Sequence, residues 1–294
     1  TAMAEGDGLD ELFEKYNFTA SMEKIFIFKN ALNIAEKTNS VLEIVWVDNT
    51  LDDLVEIEKE TIHQHFEEIL RNIVSQNADR MPQGCLTYSI INGNVGEALS
   101  EKASFEEAAL IVVGSHNKGK VFETRWTHTT ASHLAHISKT PILSVPIDCE
   151  YNDMKTIIFP VDFNFSTRQK ASMVVWLAKM FKSFVYILGL KTTTDLSHIE
   201  KIKEYTYQVR SFLINNQISC EVVFRHADSL SKEILSFSAE KNADLIAVMT
   251  TQETAISNLL LGTYTHQLIL QSAIPLLIVQ PLNINILGKE NLDG

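Results

Sequence analysis

KTIIFPVDF, residues 155–163, decides the fold: it is an apolar β-run that ends in a turn opening on an acid. After it, residues 166–182 place Ala171, Val174, Val175, Ala178 and Phe181 at the three- and four-residue spacing of one helix face, and FVYILGL (184–190) is the next strand. Working outward, the same order appears earlier in the chain. VLEIVWV (41–47) matches the strand at 184–190, and the segment before it carries Phe28, Ala31, Leu32 and Ala35 on one helix face.

The later elements repeat in the same sequence. A long amphipathic helix (about 52–77 and about 196–215) leads to a strand opening at Cys85 or Cys220, which read as equivalent positions. A short helix follows (about 95–106 and about 230–241), then a buried strand, AALIVVG (108–114) or ADLIAVM (243–249). A loop and helix lead to last strands announced by proline, TPILSVP (140–146) and IPLLIVQP (274–281), where Pro141 and Pro275 stand at strand openings that tolerate a missing N–H. Each half therefore reads as strands alternating with helices, and near-continuous apolar strands between amphipathic helices call for a parallel sheet covered on both faces. The class is α/β, twice, with domains at 9–147 and 153–282 joined by the short polar hinge DCEYND (148–153).

The first strand of the first half admits two placements. The spacing of the second half puts it at LFEKYNFT (12–19), which carries two charges; alternatively KIFIF (24–28) is that strand and the helix behind it is short.

Composition bounds the function. The chain has 294 residues, room for two domains of about 150 residues each. Its hydrophobic fraction of 45% and charged fraction of 21% are those of a folded, soluble protein, with no apolar run long enough to span a bilayer and no secretory signal. A net charge of −12 repels phosphate backbones and anionic lipid, so neither nucleic acid nor membrane is an expected partner. Three well-separated cysteines, Cys85, Cys149 and Cys220, fit reduced thiols in the cytoplasm.

Four stretches resemble the universal stress protein family in its tandem two-domain form. IIFPVDFNFS (157–166) is similar to the family's opening strand and acidic turn, INGNVGEAL (91–99) to its third strand and short helix, and VVGSH (112–116) to the exit of its fourth strand. LLLGTYTHQLILQSAIPLLIV (259–279) is similar to its closing Gly-Thr turn, helix and last strand. The resemblance implies, in each half, a five-stranded parallel α/β domain of the adenine-nucleotide-binding, Rossmann-like kind, often paired through the last strand. It also implies, for some members, an ATP site made by an acid after the first strand and a loop G-x2-G-x9-G-[S/T] after the fourth.

Carried over by position, Asp162 matches the acid, and Gly262 and Thr263 match the closing pair, but Met249 and Gln252 stand where the two earlier glycines belong. A Cβ there obstructs the approach of backbone N–H groups to a phosphate. In the first half Gly114 is present, Asn117 occupies the second glycine position, His128-Thr129 replaces Gly-Ser, and Thr19 falls where the acid would sit. Neither half has a complete loop, so ATP is expected to bind weakly if at all. GSHNKGKV (114–121) nearly spells a P-loop, yet Val121 lacks the hydroxyl that Mg²⁺ needs; a non-ATP phosphate held by Gly114, Ser115, Lys118, Gly119, Lys120 and Thr129 is the reading left open.

No catalytic motif appears. The chain has no G-x-S-x-G, H-E-x-x-H or C-x-x-C, and the histidines His128, His133 and His136 do not share one helix face. No metal site is expected, and Cys85 and Cys220 read as small buried hydrophobes. The expected function is a non-enzymatic ligand-sensing stress protein whose halves form an internal pseudo-dimer, with a homodimer also allowed. The alternative is an ATP-binding protein of the same fold with weak hydrolysis at Asp162, Gly262 and Thr263. Both sets of closing strands are apolar edges that can cover each other antiparallel, which places Leu143 and Val145 near Leu277 and Val279.

Overall fold

Strands β5 (Thr156–Val161), β6 (Phe184–Lys191) and β8 (Leu245–Met249) consist almost wholly of buried residues, as parallel strands roofed on both faces must. They belong to a computed structural model that describes residues 22–48, 56–115, 127–146, 149, 153–250 and 264–281. The second half follows the predicted order. Between these strands come α5 (Ala171–Phe181), α6 (Leu196–Asn215), β7 (Cys220–His226) and α7 (Leu230–Glu240); α8 (Tyr264–Gln271) and β9 (Leu276–Val279) close it. Its five strands are mutually parallel in the order β9-β8-β5-β6-β7. The chain thus winds from β5 to one side and returns to the other, so the strand order reverses between β5 and β8.

The first half supplies α1 (Met22–Thr38), β1 (Leu42–Asp48), α2 (Glu56–Gln76), β2 (Leu86–Asn92), α3 (Val95–Phe105), β3 (Ile111–Ser115), α4 (Thr127–Ile137) and β4 (Ile142–Pro146). KIFIF (24–28) is not a strand but part of α1. The physical reason is phase: Ile27, Phe28, Ala31, Leu32, Ile34 and Ala35 all pack inward, which continues a helical period back through the apolar run. LFEKYNFT (12–19) lies outside the described residues. Where five strands were expected, the described residues of this half form two parallel pairs, β1–β2 and β3–β4, that do not join each other.

The halves meet through their last strands. β4 and β9 pair antiparallel with Leu143 opposite Leu277, so one seven-stranded sheet runs β3-β4-β9-β8-β5-β6-β7. Pro141 and Pro275 each sit one residue ahead of these strands, and their carbonyls accept the Ile111 and Ile246 N–H groups at 2.9 and 3.1 Å. The core lies on both faces of this sheet. One layer joins Leu143 and Ile34 to Phe159, Val174 and Phe181; the other joins Leu134 and Ile142 to Ile158, Phe237 and Leu268.

Register corrects one equivalence. The Leu42 N–H donates to the Cys85 carbonyl as the Val185 N–H donates to that of Ser219, so Cys85 corresponds to Ser219 rather than to Cys220. Of the three cysteines only Cys149 is buried; Cys85 and Cys220 are half-exposed because both stand where a strand opens.

Candidate functional site

Asp162 follows the last residue of β5 and is 8% exposed at the carboxyl edge of the sheet, beside the reversal of strand order where open α/β sheets bind ligands. Its carboxylate is engaged locally. Oδ1 accepts the Asn164 backbone N–H at 2.8 Å and Oδ2 accepts Asn164 Nδ2 at 3.2 Å, so the acid caps its own turn. A short 3₁₀ turn, Phe165–Arg168, then leads toward α5, and the hydroxyl of its Thr167 accepts the Asp162 N–H at 3.4 Å.

Beneath this turn lies Lys170, only 1% exposed. Its ammonium donates to the carbonyls of Pro160 (2.8 Å) and Thr167 (2.6 Å) and stands 4.3 Å from the centre of the Phe159 ring. Burial lowers its pKa to about 7, and the nearby Asp162 carboxylate opposes that fall without cancelling it. The sequence reading missed this residue. Its signal was present: Lys170 precedes Val174 by one helical turn, so a charge occupies a position of the apolar face.

Across the crevice, β8 ends at Met249, whose side chain is buried and whose carbonyl accepts the Thr265 hydroxyl at 2.9 Å. This bond ties the strand exit to the first turn of α8. Burial raises the pKa of the Tyr264 phenol, and Asp162 raises it further, which sets the start of α8 within electrostatic reach of the acid. Two aromatic rings flank the acid: Phe163 stacks on His198 at 4.4 Å, and Phe165 lies exposed beneath the Arg168 guanidinium at 4.4 Å.

The candidate residues of the first half are somewhere else. Gly114 and Ser115 end β3, and because β4 runs antiparallel to β9, the carboxyl ends of β3 and β4 point to the opposite edge of the sheet from Asp162. The structure therefore separates Gly114 and Ser115 from Asp162 instead of gathering them. Thr129 lies in the first turn of α4, while Gly119, Gly262 and Thr263 fall outside the described residues, as does Gln252. His133 is half-buried against Gly96 and His136 is exposed; no group of three metal-ligating side chains occurs among the described residues.

Residues 154–280 match the family model for the universal stress protein family. That match lies in the second half of this chain. The chain is similar in fold to the crystal structure of a universal stress protein from Archaeoglobus fulgidus DSM 4304, at 15% identity and a TM-score of 0.70, covering 89% of this chain and 95% of that one. A functionally unknown protein from Pseudomonas aeruginosa PAO1 is similar at 15% identity and a TM-score of 0.59, covering 86% and 87%. No curated protein matches the chain. Within the matched region, the acidic turn is anchored from below by Lys170 and faced by the start of α8. No helix among the described residues is long and apolar enough to cross a membrane.

Proposed function

We propose that the protein is a tandem universal stress protein of the cytoplasm, with repeats at 9–147 and 153–282 forming an internal pseudo-dimer, and that it senses a ligand without catalysing a reaction. The observation that supports this reading is the Asp162 turn. Both of its carboxylate oxygens already hold Asn164, and the β8 exit opposite presents Met249, not glycine, with its carbonyl taken by Thr265. A phosphate loop works by convergent, unobstructed N–H groups, and each lost contact costs about 1–3 kcal/mol, or about tenfold in affinity. Nucleotide loops degenerate in this way favour a sensor of some other small ligand over an ATP hydrolase.

The test is calorimetry and thermal melting of the full chain in millimolar ATP, together with the absorbance of protein purified without added nucleotide. Little heat, no shift in melting temperature and no adenine absorbance are expected. A micromolar dissociation constant overturns the reading in favour of an ATP-binding protein. Met249→Gly with Gln252→Gly should then strengthen binding, because it restores the close approach of the backbone.

A further inference from the structure

β7 ends the seven-stranded sheet, and among the described residues it pairs with β6 alone. Its seven residues, CEVVFRH, pair with β6 without a break and include no lysine or proline, so the usual devices that keep an edge strand from taking a partner are missing. The ladder fixes which backbone groups face outward. The Val185 N–H donates to the Ser219 carbonyl at 3.0 Å, and the Ala227 N–H donates to that of Lys191 at 2.9 Å. By the two-residue period of a strand, the odd-numbered residues of 219–227 direct their backbone groups to β6, and Cys220, Val222, Phe224 and His226 turn theirs away from it. We propose that this edge docks a second copy of the chain, β7 against β7 antiparallel, with the two-fold axis at Val223.

Three observations select this occupant and this register. The first is hydrogen-bond phase. Outward groups meet only where even-numbered residues lie opposite even-numbered ones, and of the two-fold registers that allow this, the one centred on Val223 engages all seven residues, with Val222 opposite the second copy's Phe224. The second is charge. That register sets Glu221 opposite the second copy's Arg225, and by symmetry does so twice. Glu221 is exposed, whereas Arg225 lies 2.8 Å from Glu240, which Lys241 also reaches at 3.3 Å. Two bases thus share Glu240, and the second copy's Glu221 restores the balance. The third is the apolar flank. Val222, Val223 and Phe224 are half-exposed; Tyr207 on α6, its ring centre 6.4 Å from that of Phe224, is 53% exposed, and Ile214, two helical turns along the same stripe, is 46% exposed. The equivalent edge, β2, has Thr87 and Ile91 where β7 has Glu221 and Arg225, so it lacks the complementary charges.

Analytical ultracentrifugation of the full chain tests the proposal. The parent should dimerise with a micromolar dissociation constant. Glu221→Arg and Arg225→Glu each set like charges opposite one another at both crossings, and each should weaken the dimer about tenfold or more. An equimolar mixture of the two variants has opposite charges at both crossings again and should dimerise like the parent. A parent that stays monomeric at millimolar concentration overturns the proposal. So does a dimer that either variant leaves intact, and so does a mixture that associates no better than its components. Should Arg225→Glu, which also faces Glu240, fail to fold, Glu221→Arg decides alone: Glu221 is exposed, so a folded monomer supports the edge and a dimer of parent strength overturns it.

Discussion

Leu143 and Leu277 lie opposite each other in the antiparallel pair β4–β9, and each stands two residues after the proline that opens its strand, Pro141 or Pro275. A residue that pairs with its own counterpart marks a two-fold axis. The relation recurs one layer away: Ser132 and His266, each nine residues ahead of its proline, meet between α4 and α8 with Oγ and Nδ1 3.1 Å apart. Both leucines are 0% exposed, so the axis runs through core. Leu277→Lys places an ammonium there without a partner and should cost about 3–5 kcal/mol, whereas Leu277→Ala, which leaves only a cavity, should cost about 2–5 kcal/mol. Urea denaturation of the two variants beside the parent checks this, and parent-like midpoints in both would show that the junction contributes no stability.

The pH dependence of folding should report Lys170. Burial holds its pKa at about 7 in the folded protein, below the unfolded value near 10.4. Between those values the unfolded chain binds the extra proton, so stability rises with pH across that window and the effect is absent below about pH 7. Relative to Lys170→Met, the parent should gain about 2 kcal/mol between pH 7 and pH 9. Denaturation of both proteins at the two values is the measurement. An unchanged difference would mean that the carbonyls of Pro160 and Thr167 keep the group charged throughout.

Much of this fold was legible in the chain because buried parallel strands and amphipathic helices have distinct periods. The second half followed from apolar runs between amphipathic helices, and the Leu143–Leu277 junction from the pairing through the last strand that the family resemblance implies, on two apolar strands opened by proline. KIFIF was ambiguous for a physical reason: five residues are too few to separate period 2 from period 3.6, and only the inward packing of Ile27, Phe28 and Ile34 fixes the phase of α1. In the candidate site, Asp162 was singled out by its match to the family's acidic position at the end of an apolar run. Lys170 was not, since its role depends on the Pro160 and Thr167 carbonyls that turn back over it. That Gly114 and Asp162 sit at opposite edges required the antiparallel sense of β4 and β9 to be carried through the whole sheet.

The helices that follow β2 and β7 are capped differently at equivalent positions. Asn94 Oδ1 accepts the Gly96 N–H at 3.0 Å, whereas Ser229 makes no capping bond and its hydroxyl lies 3.2 Å from that of Ser231. Asn94→Ala should therefore cost about 1 kcal/mol, and Ser229→Ala should cost distinctly less. Thermal melting of the two single variants decides it; equal losses would mean that the two caps contribute alike.

Two residues further along, the same pair of helices makes contact in two ways. In the second half the Ser231 hydroxyl, on α7, donates to Gln267 Oε1 on α8 at 2.5 Å. In the first half the counterparts are Gly96 on α3 and His133 on α4, and a Cβ on Gly96 would come within 2.5 Å of the imidazole Nδ1. The larger ring thus requires the smaller partner. Gly96→Ala should overfill this site and cost about 1–3 kcal/mol despite the better helix propensity of alanine. His133→Gln alone should leave a gap against the bare glycine. Made together, Gly96→Ser and His133→Gln transplant the pair of the second half, so their costs should be non-additive, with a coupling of at least about 1 kcal/mol in favour of the double variant. A double-mutant cycle by denaturant unfolding measures that coupling. Simple additivity would mean that the helix spacing at this contact is set by other side chains, and that glycine is tolerated there rather than required.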